Sequence, residues 1–63
     1  MMAIQLGKVA IGDTFTPDNG STWITAVFVT SLPGKYVLII GVDDRVTASR
    51  YWGYTGDEVI VKI

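Results

Sequence analysis

The sequence predicts an all-β domain of short antiparallel strands, and three observations carry that prediction. Runs rich in β-branched and aromatic residues recur from Thr22 to Thr30, from Tyr36 to Val42 and from Glu58 to Ile63. Such composition fits a pleated, half-buried surface. Turn chemistry separates these runs at Pro17-Asp18-Asn19-Gly20-Ser21, Leu32-Pro33-Gly34-Lys35 and Asp43-Asp44. No stretch carries the apolar period and caps of a helix, so no substantial helix is expected.

Taken in order, residues 1–10 read either as a short edge strand over Ala3-Ile4-Gln5-Leu6, turned by Gly7-Lys8, or as a tail that orders on a partner. The strand is the favoured reading. Ile11 to Thr16 reads as a turn leading into a short strand. The turn at 17–21 is the strongest in the chain, because proline presets one dihedral and Asn-Gly tolerates positive φ. Thr22 to Thr30 is a long strand with no charge in it. Pro33-Gly34 suits the central pair of a type II turn. The run Tyr36-Val37-Leu38-Ile39-Ile40-Gly41-Val42 is uncharged and bounded by turns, which predicts a central strand buried on both faces. Asp43-Asp44 then turns the chain into Arg45-Val46-Thr47-Ala48-Ser49, and Gly53 and Gly56 interrupt regular pairing beyond it. The last strand alternates cleanly, with Val59, Val61 and Ile63 on one face.

Five strands joined by short turns in this order resemble a small antiparallel SH3-like barrel in architecture. The acidic first loop and the proline-plus-tyrosine of peptide-binding SH3 domains are missing from this sequence. The ligand of those domains is therefore not carried over.

Sixty-three residues make a single domain, 1–63. A chain of this size buries only about 60% of the surface its unfolded form exposes, so small domains commonly add disulfides, a metal or partner subunits. Cysteine and histidine are both absent, which excludes disulfides and the common zinc sites. Hydrophobic residues make up 49% of the chain, more than a small monomer readily hides, so self-association is the expected staple. A net charge of −1 removes the general electrostatic reason to bind nucleic acid or an anionic membrane. With no long apolar run and no basic leader, the chain is expected to be cytoplasmic and not membrane-bound.

Two-residue loops at Pro33-Gly34 and Asp43-Asp44 would gather Ile24, Ala26, Phe28, Val37, Ile39, Val46 and Ala48 on one face. The other face would collect Trp23, Val27, Val29, Tyr36, Leu38, Ile40 and Val42. The larger set, around Leu38, Ile40 and Val42, is expected inside. The first face, with Ile24, Phe28, Val37, Ile39 and Val46, then becomes the expected oligomer interface, the alternative being that residues 1–10 fold over it within the same chain.

Arg45, Arg50, Tyr51, Trp52 and Tyr54, with Asp57 beside them, form the one dense mixture of cations and aromatics. A bland role is available to them: Trp52 and one tyrosine plug the barrel end while the arginines pair with acids. As a binding site, the cluster suits a protein partner, or single-stranded nucleic acid through stacking and phosphate contacts. The neighbouring Asp43, Asp44, Asp57 and Glu58 count against nucleic acid. No cofactor or metal is expected, since the carboxylates lack a calcium-loop spacing. No catalytic residue is assigned, because Ser21, Ser31 and Ser49 have no activating motif around them. The function expected is that of a non-enzymatic binding or accessory module acting through a protein–protein surface and self-associating. A nucleic-acid-binding barrel using the Arg/aromatic patch is the alternative.

Overall fold

The computed structural model describes residues 1–62. Its strands are β1 (Met2–Gln5), β2 (Thr14–Thr16), β3 (Ile24–Leu32), β4 (Tyr36–Asp43), β5 (Ala48–Tyr54) and β6 (Glu58–Lys62). Helix among these residues is confined to a 3₁₀ turn at Leu6–Lys8. The strands form one antiparallel sheet in the order β1-β6-β2-β3-β4-β5. The all-β expectation holds, with two corrections. There are six strands rather than five, because the edge strand favoured within residues 1–10 does form, as Met2–Gln5, and adds to the outer edge of β6 with Ile4 opposite Val59. The sheet is also not closed into a barrel, since β1 and β5 end the strand order without pairing to each other.

The turns decide which side chains share a face. Both hairpin loops hold three residues rather than two. In the first, Leu32 pairs with Tyr36 across Pro33-Gly34-Lys35, with φ +83° at Gly34 and 65° at Lys35. Positive φ at Gly34 is what the second central position of a type II turn requires. In the second, the Val46 amide donates to the Asp43 carbonyl (2.9 Å) and the Asp43 amide to the Thr47 carbonyl (3.0 Å). That pattern is a type I turn followed by a left-handed residue. The left-handed residue is Val46, at φ 59°, where a β-branched side chain is strained. The Asp43 carboxylate braces the turn by accepting the amides of Arg45 (2.9 Å) and Thr47 (2.8 Å).

An odd loop displaces the pairing by one residue, and that moves every side chain of the following strand to the opposite face. Tyr51 accordingly lies opposite Ile39, and Trp52 opposite Leu38. In β3 a bulge at Val27 restores the original parity, so that Ala26 opposes Gly41 while Phe28 opposes Ile40. Gly41 is obligatory at this point, because a Cβ there would overlap the Thr25 carbonyl.

The buried core consists of Leu6, Val9, Phe15, Ile24, Ala26, Val37, Ile39, Val59 and Val61, with Ile4, Val29 and Tyr51 packed against it. Ile63, expected on the face of Val59 and Val61, lies outside the described residues. The core therefore sits on the Val37/Ile39/Gly41 side of β4, which corrects the expectation that Leu38, Ile40 and Val42 face inward. It also corrects the expected burial of β4 on both faces: Ile40 and Val42 are exposed, because this single sheet has only one covered side. The cover comes from the N-terminal segment. The Leu6 amide donates to the Asp57 carbonyl (2.6 Å) and the Gly7 amide to the Thr55 carbonyl (3.0 Å). These bonds hold the 3₁₀ turn over the inner face, where Leu6 and Val9 are buried. A fully buried side chain such as Phe15 or Leu6 contributes roughly 1.5–3 kcal/mol.

Of the five residues expected at an oligomer interface, Ile24, Val37 and Ile39 are buried inside this chain and unavailable to another. Phe28 and Val46 are exposed, but on different features: Phe28 on the outer face after the bulge, Val46 at the tip of the β4–β5 turn.

Candidate functional site on the outer face

Alternation along the strands builds the outer face as a series of cross-strand rungs. On β3, β4 and β5 these are Thr25–Val42–Ala48, Phe28–Ile40–Arg50, Thr30–Leu38–Trp52 and Leu32–Tyr36–Tyr54. Toward β2 and β6 the first rung continues through Thr14 to Lys62. There the surface is polar, with the Thr14 and Thr25 hydroxyls hydrogen-bonded at 2.8 Å. Over β3–β5 it is apolar. Trp52 is 61% exposed, Phe28 50% and Ile40 40%, and these residues adjoin one another through the rungs.

One end of this face is an aromatic cluster. Tyr36 stacks on Tyr54, with ring centroids 4.6 Å apart, and leans against Trp52 at 5.4 Å. The Tyr36 hydroxyl donates to the Tyr54 oxygen at 3.1 Å. That hydrogen bond, helped by partial burial, raises the Tyr36 pKa above its ordinary value of 10.0. Arg50 stands beside the cluster. Two open depressions of about 340 Å³ flank it, one lined by Ile40 and Ala48, the other by Leu32, Leu38 and Trp52. No carboxylate occupies the rungs of β3–β5, so Arg50 is the single charge on an apolar, aromatic surface.

The cluster singled out in the sequence is thus divided. Arg50, Trp52 and Tyr54 come together on the outer face. Tyr51 does not join them. It points inward and meets Phe15 edge-on, with centroids 6.0 Å apart. Burial, and then the negative charges of Asp57 and Asp18, raise its hydroxyl pKa. Arg45 lies in the β4–β5 turn, beyond the strands. Asp57 serves the backbone: its Oδ2 accepts the Tyr54 amide at 3.0 Å.

Sequence reasoning missed Tyr36, Leu38 and Leu32 as members of this surface, having assigned Tyr36 and Leu38 to the interior. The available signal was Gly41, since a glycine inside an apolar strand marks a bulge or a close backbone approach.

Other polar side chains are occupied in building turns. Asp18 Oδ1 accepts the Thr22 amide and the Thr16 hydroxyl, both at 2.8 Å, while Thr16 Oγ1 accepts the Gly20 amide at 2.8 Å. The hydrogen bonds from Thr22 and Thr16 hold the Asp18 carboxyl below its ordinary value of 3.8. Asp13 Oδ2 accepts the Ala10 amide at 3.0 Å. Among the described residues no three acidic, histidine or cysteine side chains converge as a metal site would need. No helix among them is long and apolar enough to cross a membrane. Comparison with protein-family models, curated proteins and solved structures returns no match.

Proposed function

We propose that this chain is a small non-enzymatic binding module that works through a protein–protein surface on the outer face of β3–β5, and that it self-associates. The observation that carries the reading is the contiguous exposure of Phe28, Ile40, Trp52 and Tyr54 around a lone arginine. Apolar patches of this kind on small proteins mark interaction surfaces. Tryptophan, tyrosine and arginine are also the residue types that dominate binding energy at protein interfaces. Tyr36, Trp52 and Tyr54 brace one another, so little side-chain freedom is lost when a partner covers them. The strand order β6-β2-β3-β4-β5 and the short turns support an SH3-like relationship, with β1 as an addition to its edge.

Single-stranded nucleic acid is the second reading, favoured by one observation. The acids that flank the patch in sequence lie in the turns, at the end of β4 or on β6, and not on the outer-face rungs of β3–β5, so Trp52 and Tyr54 could stack bases beside Arg50. Against it, one cation neutralises too few phosphates for tight binding.

A photoreactive amino acid placed at Leu38 or at Ile40, with Thr14 as the control position, distinguishes these readings in extract of the native host. The expected result is a discrete protein adduct from positions 38 and 40 and none from position 14. Adducts confined to nucleic acid would promote the alternative. Equal labelling from all three positions would remove the outer face as a specific surface.

A further inference from the structure

We infer that two copies of this chain join through the free edge of β5, pairing β5 with β5 in an antiparallel register that sets Arg50 of each copy opposite Trp52 of the other. The inference rests on the self-association part of the reading above and names its geometry. The apolar outer face is left open for a partner.

The first observation is the phase of the β5 hydrogen bonds. Antiparallel strands alternate between residues that exchange both backbone bonds with a neighbour and residues whose groups point away from it. Thr47 accepts the Asp43 amide at 3.0 Å, and Thr55 donates to the Lys35 carbonyl at 2.8 Å. Both bonds place odd-numbered residues in contact with β4. Ala48, Arg50, Trp52 and Tyr54 therefore direct their amides and carbonyls outward. Tyr54 bears this out, since its amide goes to the Asp57 carboxylate (3.0 Å) and its carbonyl accepts the Asp57 amide (3.1 Å). The backbone groups of Ala48, Arg50 and Trp52 have no such cap.

The second observation is that this edge lacks the usual guards. Natural edge strands are kept apart by shortness, lysine, proline, a bulge or a cover. The other edge of this sheet, β1, is four residues long. β5 has seven residues, no proline or lysine, and seven successive pairs with β4 without a shift.

The third observation selects the register. A two-fold axis through Arg50 would set like charges directly opposite, which is destabilising. Shifting the axis to Tyr51 keeps the free backbone groups in phase. Arg50 and Trp52 then exchange both backbone bonds across the axis, and Ala48 comes to lie against the already capped Tyr54. Each guanidinium rests beside the partner's indole on the outer face, a cation–π pair formed twice. Arg50, which has no acid on its own face, thereby gains a partner.

The test combines light scattering with amide hydrogen exchange followed by NMR across a concentration series. The expected result is a two-copy mass at high concentration. Exchange of the Arg50 and Trp52 amides should slow at least tenfold as that mass appears. Arg50→Pro removes an outward donor but no bond to β4, so it should give a folded monomer. Should that variant fail to fold, Arg50→Glu keeps the amide and reverses the charge. It should raise the dimer dissociation constant roughly tenfold or more. A monomer at every concentration overturns the inference. So does a dimer whose Arg50 and Trp52 amides exchange at the dilute rate; that result would leave self-association standing but move it off the β5 edge.

Discussion

The two faces of this sheet are made by the same strands from similar residues, and they have opposite fates. On β4, Val37 and Ile39 are almost fully buried while their neighbours Ile40 and Val42 are exposed. Hydrophobicity alone does not separate them. The inner face has depth: Leu6 and Val9 arrive from the N-terminal segment, Phe15 from β2, and Gly41 and Ala26 let the β3 and β4 backbones approach. On the outer face of β3–β5 none of the described segments folds back over the rungs, and large side chains stand next to one another. Residues that are equivalent by composition thus divide into a core and an exposed surface. What divides them is the cover that the N-terminal segment and β2 bring to one face alone.

The sharpest way to break the comparison is to make one substitution on both sides. Phe15→Ala should cost about 3–5 kcal/mol, most of what a domain this small has to lose, because it leaves a cavity under β2. Phe28→Ala should cost less than about 1 kcal/mol, since half of that side chain is already in water. Urea denaturation of the two variants measures the difference, and equal losses would contradict the assignment of the faces.

Gly41→Ala tests the backbone approach that creates the inner face. Its methyl group would overlap the Thr25 carbonyl and Ile24, so a loss of about 2–3 kcal/mol is expected in the same assay. The turns that set the parity come next. Gly34→Val should cost about 1 kcal/mol or more, because a β-branched residue is strained at φ +83° and would crowd the Tyr36 ring. Val46→Asn should act in the other direction. Asparagine tolerates the left-handed region that Val46 occupies at φ 59°, so a gain of about 1 kcal/mol, or about 4–8 °C in Tm, is expected.

The smallest effect concerns pH. The hydrogen bonds of Asp18 lower its pKa in the folded state, so the unfolded chain takes up the proton more readily. The contribution is fully present above about pH 4 and is lost as pH falls through the depressed folded value. Asp18→Asn should flatten the acid side of a stability-versus-pH curve. An unchanged acid limb would remove Asp18 from that role.

Much of the fold was legible in the sequence. β4 and β6 fall where β-branched runs and turn residues put them, and Pro33-Gly34 adopts the φ that its type II signature requires. The gathering of Arg50, Trp52 and Tyr54 was legible from their spacing of two residues, which places them on one side of any strand. The register was not. It turns on Lys35 and Val46 adopting positive φ, and a β-branched valine argues against that conformation in any local reading. Two-residue loops were the natural expectation, and they set β5 one residue out of step with β4. The inward face was misjudged because the larger apolar set was placed inside, and Phe28 changes face at the bulge. Tyr51 was grouped with Trp52 by nearness in sequence, although adjacent strand residues face opposite sides. The bulge at Val27 has its trace in Gly41, seen correctly as part of a strand but not as the place where β3 comes too close for a side chain. Closure into a barrel failed as an expectation because the residues that cover the inner face come from a 3₁₀ turn rather than from pairing of the outermost strands.

The most direct test places the same charge at adjacent positions of β4. Thermal melts of Ile39→Lys and Ile40→Lys, followed by far-ultraviolet circular dichroism, read the two faces separately. Ile39 is completely buried, and an unpaired ammonium there has no partner and no water, so Ile39→Lys should show no cooperative unfolding transition. Ile40→Lys places its charge on the open outer face and should melt within a few degrees of wild type. A cooperative wild-type-like melt for Ile39→Lys, or unfolding of Ile40→Lys, would contradict the division of this sheet into a core face and an exposed face.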